Sequence, residues 1–154
     1  MKASDLRIAL FSGNYNYIRD GANQALNRLV GSLLEQGAAV RVYSPTTDTP
    51  AFAPTGDLVS IPSIPFPVPG RSEYRFPIKL SAGVRADLNR FKPNLIHVSS
   101  PDFVGRRAVS YAHQHQIPVV ASMHTRFESY LPYYKMAFLE PLFLAALRHF
   151  YRRC

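Results

Sequence analysis

The chain has one cysteine, Cys154 at its last position, so no internal disulfide can form and a reducing compartment is the expected setting. No apolar run approaches the ~20 residues that a membrane span needs. The opening MKASDLRIALFSGN holds an apolar stretch of only a few residues, broken by Ser and Gly, too short for the hydrophobic region of a secretory signal. Acidic residues are scarce: 10 Asp and Glu stand against 18 Lys and Arg, a formal net charge of +8. From residue 103 onward, seven Lys and Arg face two Glu. This balance suits phosphates, acidic lipid head groups or nucleic acid, and equally a plain solvated basic face. Because the basic residues are spread over several elements rather than gathered on one recognition helix, no nucleic-acid partner is expected.

Several chemical signatures are also missing. There is no G-x-G-x-x-G of a dinucleotide site and no G-x-x-x-x-G-K-[ST] phosphate loop. Without a G-x-S-x-G turn or a pair of carboxylates at strand ends, a stand-alone hydrolase is disfavoured. His113 and His115 lack the i, i+4 spacing of a helical metal pair and have no Cys or carboxylate neighbours, so no metal is expected.

What remains is a chain of 154 residues, 47% hydrophobic with ten Phe and nine Tyr, enough for one domain with a real core. Residues 6–12 (LRIALFS) read as a buried strand, followed by the loop GNYNYIRDG. Leu26, Leu29, Val30, Leu33 and Leu34 then recur at helical spacing until Gly37, and residues 39–44 (AVRVYS) read as a second strand. Residues 45–77 hold eight of the thirteen prolines, which rules out central sheet or regular helix there and leaves one short strand near 58–61. With Phe52, Phe66, Tyr74 and Phe76 to anchor it, this Pro-rich insertion is expected to be an ordered, substrate-side loop.

Alternation then resumes. Leu80, Val84, Leu88 and Phe91 make a helical stripe ending at Lys92-Pro93, and 94–99 (NLIHVS) is a strand. Phe103, Val104, Ala108, Tyr111 and Ala112 mark a helix, and 117–123 (IPVVASM) a strand. A last helix begins near Met136, with Leu139, Leu142, Phe143, Ala146, Leu147 and Phe150 on its apolar face. Apolar strands alternating with amphipathic helices predict an α/β, Rossmann-like doubly wound parallel sheet. No closing strand follows the last helix, so the domain is expected to be truncated.

Ligands of open α/β sheets bind beyond the carboxyl ends of the strands. That rule selects the first loop, the turn at 99–102 and the stretch 123–134. The first loop opens through Asp20-Gly21-Ala22 directly into a helix, either an anion site or a plain capped helix start. His124 stands at a strand exit, where it can meet a sugar or phosphate or serve structure alone; His97 reads as a core residue. The aromatics of 126–134 can stack on sugars or cap the sheet. Arg148, Arg152 and Arg153 either complement the last helix's dipole or dock on an anionic membrane surface.

Three stretches carry a family resemblance. They are residues 7–21 with the following LLEQGAAVRVYSP, the block RFKPNLIHVSSPDFVGRRAVSYAHQHQIPVVASMHTRF, and the final YYKMAFLEPLFLAALRHFYRRC. Together they resemble glycosyltransferase family 4 proteins of the GT-B architecture, among them the sulfoquinovosyl-diacylglycerol synthases and related lipid-directed or α-mannosyl transferases. The resemblance implies that residues 1–154 are the N-terminal, acceptor-side half of a retaining, metal-independent hexosyltransferase. It also implies an enzyme that needs no cofactor beyond a nucleotide-sugar donor, acts on a lipid or glycan acceptor, and is inactive without a C-terminal donor-binding domain. It further implies that the Gly21 and Ala22 amides face the donor diphosphate and that His124 is catalytic, near the donor sugar. Tyr15, Asp20, Thr125, Arg126 and Tyr130 are the accompanying candidates for sugar or acceptor contact. The implied location is cytoplasmic, peripheral on the inner face of the membrane. The alternative is a small Rossmann- or flavodoxin-like module that binds a phosphorylated ligand without catalysis.

Overall fold

A computed structural model describes residues 2–65, 73–124 and 137–154. Its central strand, β1 (Arg7–Phe11), is buried on both faces: Ile8 and Leu10 pack into one apolar cluster, Ala9 and Phe11 into another. This is the behaviour of a strand covered by helices above and below, which alternation and the apolar run predict. β1 pairs in parallel with β2 (Ala39–Ser44) on one side, Arg7 opposite Ala39, and with β6 (Leu95–Val98) on the other, Ile8 opposite Leu95. Adding β3 (Asp57–Ser60) and β7 (Val119–Ala121) gives a five-stranded parallel sheet in the order β3-β2-β1-β6-β7.

α1 (Gly21–Glu35) covers one face; α2 (Ala82–Phe91), α3 (Phe103–Gln114) and α4 (Glu140–Tyr151) contribute to the other. The stop of α1 is as expected: Gly37 takes φ 89°, and the Gly37 and Ala38 amides donate to the Leu34 and Leu33 carbonyls. Its inward face differs. Asn23, Leu26, Asn27 and Val30 are buried, whereas Leu29 and Leu34 are exposed; the two asparagine amides satisfy the Ile18 and Tyr15 carbonyls of the loop, which a leucine could not.

The α2 stripe of Leu80, Val84, Leu88 and Phe91 is buried throughout, and Lys92 ends the helix in the left-handed region before Pro93. Two contacts fasten this helix to the sheet. The Arg7 and Arg41 guanidiniums both lie within 5 Å of the Phe91 ring centre. Asp87 accepts from Arg41 Nη1 at 3.1 Å and from the Tyr43 hydroxyl at 2.9 Å. Burial pushes the Asp87 carboxyl up, but the Tyr43 and Arg41 bonds outweigh it and hold the group below the usual aspartate value.

The Pro-rich insertion contains β3, one residue earlier than expected, and an antiparallel hairpin, β4 (Ser63–Pro65) with β5 (Arg75–Pro77). Part of the expected anchoring is present: Phe52 and Tyr74 are half-buried, and the Arg19 guanidinium lies 5.0 Å from the Phe52 ring centre. Phe76 is exposed, and Phe66 lies outside the described residues. Arg75 also holds the hairpin, donating from Nη2 to the Ser63 carbonyl and from its amide to the Tyr17 hydroxyl.

The predicted start of the last helix at Met136 lies outside the described residues; a 3-10 turn, Ala137–Leu139, leads into α4. Of its apolar face Phe150 is buried in the core, while Leu142 is 71% exposed.

Candidate functional site

In this strand order the chain leaves β1 toward β2 and later returns to β1's other side with β6. The topological switch therefore falls between β1 and β6, and the crevice for a ligand lies beyond their carboxyl ends. The two exits are joined there. The Gly13 amide donates to Ser100 Oγ at 3.1 Å, Ser100 Oγ donates to Asp102 Oδ2 at 2.7 Å, and Asp102 Oδ1 caps α3 by accepting from the Gly105 amide. A side chain at Gly13 would meet Asp102 Oδ2 at 2.8 Å, so glycine is what allows this approach. Burial raises the Asp102 carboxyl above the usual range, against the Gly105, Ser100 and Val104 donors that lower it.

The loop from β1 to α1 is fixed by a set of polar side chains. Tyr17 is buried and donates its hydroxyl to the Gly13 carbonyl; burial pushes its pKa up to about 12. Asn14 Nδ2 reaches the Ile18 carbonyl, as does Asn23 Nδ2, and Asn16 Nδ2 the Phe52 carbonyl. Asn27 bridges two segments, donating to the Tyr15 carbonyl and accepting from the Thr55 amide. Tyr15 itself corrects an expectation. It is fully buried, and its hydroxyl donates to the Thr55 carbonyl at 2.8 Å, so it braces the loop instead of meeting a ligand. Asp20 likewise turns its carboxylate to the protein: Oδ1 accepts from the Asn23 amide and Oδ2 from Asn14 Nδ2, while Asn23 Oδ1 accepts from the Asp20 amide in return. It is the helix cap.

This cap leaves the first turn of α1 open. Gly21 is exposed, a Cβ there would find no atom within 4 Å, and neither the Gly21 nor the Ala22 amide has an acceptor among the described residues. Two unsatisfied N–H groups at the positive end of a 15-residue helix form an anion-receptive edge.

At the exit of β7, His124 is exposed and bonded through Nε2 to Ser122 Oγ at 2.9 Å. The same hydroxyl lies 2.8 Å from Nε2 of His97, which is buried in β6. His97 is thus a satisfied near-core residue, as the sequence suggests, but its link to His124 has no local sequence signal. Thr125, Arg126 and Tyr130 lie outside the described residues. No helix among the described residues is long and apolar enough to cross a membrane.

Comparison with known proteins gives these features a context. The model of the family "Glycosyltransferase Family 4" matches residues 19–154. Sulfoquinovosyl transferase SQD2 of Arabidopsis thaliana is 28% identical over 148 residues, covering 95% of this chain and 28% of that protein. Alpha-monoglucosyldiacylglycerol synthases of Streptococcus pneumoniae and Acholeplasma laidlawii are 25% and 23% identical over 128 residues, 83% of this chain and 29% and 32% of theirs. The chain therefore spans less than a third of the length of these relatives.

Proposed function

The chain belongs to Glycosyltransferase Family 4, and on that premise we propose that it is the acceptor-side domain of a retaining enzyme of GT-B architecture. That enzyme moves a sugar from a nucleotide-sugar to a lipid or glycan acceptor. A second α/β domain supplies most of the donor contacts, so the 154-residue chain transfers no sugar by itself.

The observation that carries this reading is an open helix start at Gly21 and Ala22 together with the exposed ring of His124, each following the carboxyl end of a strand of the same sheet. Loss of a nucleoside diphosphate develops negative charge on the leaving oxygen. Fixed amide dipoles lower that barrier without reorganising, at a few kcal/mol per well-placed donor, and no metal is required. His124 hydrogen-bonds the donor sugar as it is transferred.

The relatives, a sulfoquinovosyl transferase and two monoglucosyldiacylglycerol synthases, favour a lipid acceptor. An anionic membrane surface suits the outer face of α3 and α4. There Arg106, Arg107 and Arg153 share a shallow pocket of about 240 Å³ with Phe103 and Ser110, and none of the three has an ion-pair partner among the described residues.

Gly21→Ala tests the diphosphate site. The added methyl meets no atom within 4 Å among the described residues, so stability should hold or rise by up to about 1 kcal/mol. In the two-domain enzyme, kcat/KM should fall about tenfold as the methyl displaces the diphosphate from the amides. Unchanged turnover, or a parallel loss of thermal stability, would contradict the assignment.

A further inference from the structure

Two side chains, His97 in β6 and Ser122 just past the end of β7, line up behind His124. His97 Nε2, Ser122 Oγ and His124 Nε2 are joined by contacts of 2.8 and 2.9 Å. Their alignment follows from the register of β6 with β7. His97 pairs with Val120, and the Ser122 amide continues the ladder by donating to the Val98 carbonyl, which brings its hydroxyl beside the His97 ring. Strand alternation turns Ile96 and Val98 into the cluster with α2 and α3, so His97 points to the opposite face, the one covered by α1.

The proton inventory of this chain has a direction. Burial, reinforced by the neighbouring His124, pulls the His97 pKa down to about 4, so at neutral pH the ring carries one proton. That proton can sit on Nδ1 or Nε2. Nε2 faces a hydroxyl oxygen, whereas Nδ1 has no acceptor among the described residues, and a mostly buried N–H without an acceptor is the costlier choice. His97 therefore donates from Nε2 to Ser122. The hydroxyl has a single hydrogen and must direct it to its other neighbour, His124 Nε2.

We propose that His97, acting through Ser122, is a positioning residue that holds His124 in its Nδ1–H tautomer and fixes its ring, so that Nδ1–H is the donor presented to the sugar. The idea rests on the transferase reading for its catalytic consequence but not for its geometry. A neutral imidazole free in water favours the Nε2–H form, so the relay selects the less common tautomer and removes the ring's freedom to rotate.

The tautomer can be read without turnover. In ¹⁵N-labelled 154-residue chain at neutral pH, the His124 ring nitrogens should report a protonated Nδ1 and an unprotonated Nε2. In Ser122→Ala the pattern should revert to the Nε2–H-dominated mixture of free imidazole. An Nε2–H ring in the wild type, or a spectrum unchanged in Ser122→Ala, would overturn the proposal. In the two-domain enzyme Ser122→Ala should lower kcat about tenfold while leaving the donor KM within about twofold, the scale of losing an orienting partner. His97→Gln, whose amide can donate from nearly the same place, should retain kcat within about threefold, while His97→Phe should match Ser122→Ala. If the wild-type ring and Ser122→Ala give the expected spectra but kcat is unchanged, the positioning role is overturned. Should His97→Phe fail to fold, Ser122→Ala and His97→Gln carry the decision. Absence of sugar transfer by the wild-type enzyme would overturn the transferase reading instead, with the ring spectra still deciding the relay.

Discussion

His124→Ala is expected to lower kcat of the two-domain enzyme about a hundredfold, the usual cost of losing a hydrogen-bond donor that acts on developing charge. Thermal stability should stay within about 0.5 kcal/mol of wild type, as for surface substitutions generally. The two expectations come from one fact: the His124 ring is exposed, and its hydrogen bond is to the Ser122 hydroxyl, which water can satisfy once the ring is gone. Steady-state kinetics and a thermal melt on the same preparation check both. A fall in melting temperature in step with the fall in turnover would make His124 a structural residue and remove it from the site.

Gly105→Ala should do the opposite, costing about 3 kcal/mol of stability and roughly 10 °C in melting temperature. A methyl at that position would lie 2.2 Å from the Ser100 carbonyl oxygen and 2.9 Å from Val98 Cγ1. Neither neighbour can yield easily: Val98 is fully buried in the core, and the Ser100 backbone leads into the Asp102 cap of the same helix. The strain must push α3 away from β6 and loosen the turn that joins the exits of β1 and β6. Gly31→Ala is the internal control, since among the described residues its methyl would meet only Thr55 Cγ2 at an ordinary 3.6 Å. An unchanged melting temperature in Gly105→Ala would mean that the close seat of α3 on the sheet is not needed.

The parts of this fold that hydropathy governs were readable in advance. The α2 stripe, the strands at β1, β2 and β6 and the doubly wound order all follow from apolar spacing, because burial of those side chains is what selects the structure. Polar burial has no such period. Asn23 and Asn27 point inward because carbonyls of the β1–α1 loop, invisible in one dimension, need donors. Tyr15, a candidate for sugar or acceptor contact on the family resemblance, is committed inside the fold by a hydroxyl bonded to Thr55, 40 residues away. β7 spans only part of the apolar run 117–123, pairing with β6 alone among the described residues.

At the site, location was legible and connectivity was not. The carboxyl-end rule selects the Gly21, Asp102 and His124 segments, and each stands where a strand exits. The link from His97 to His124 depends on a register between strands 25 residues apart, which only the folded sheet supplies. Gly13 and Gly105 were likewise silent, as their meaning lies in the atoms that crowd them.

The claim on which the rest depends is that this domain forms half of a sugar-transferring crevice. The most direct measurement is transfer of labelled hexose from UDP- or GDP-sugars to diacylglycerol in vesicles. It would compare the 154-residue chain alone with the same chain continuous with a second α/β domain. Transfer by the two-domain enzyme, none by the isolated chain, and loss of transfer on His124→Ala is the predicted result. Transfer by the isolated chain, or tight nucleotide binding by it with no transfer from either form, would contradict the account.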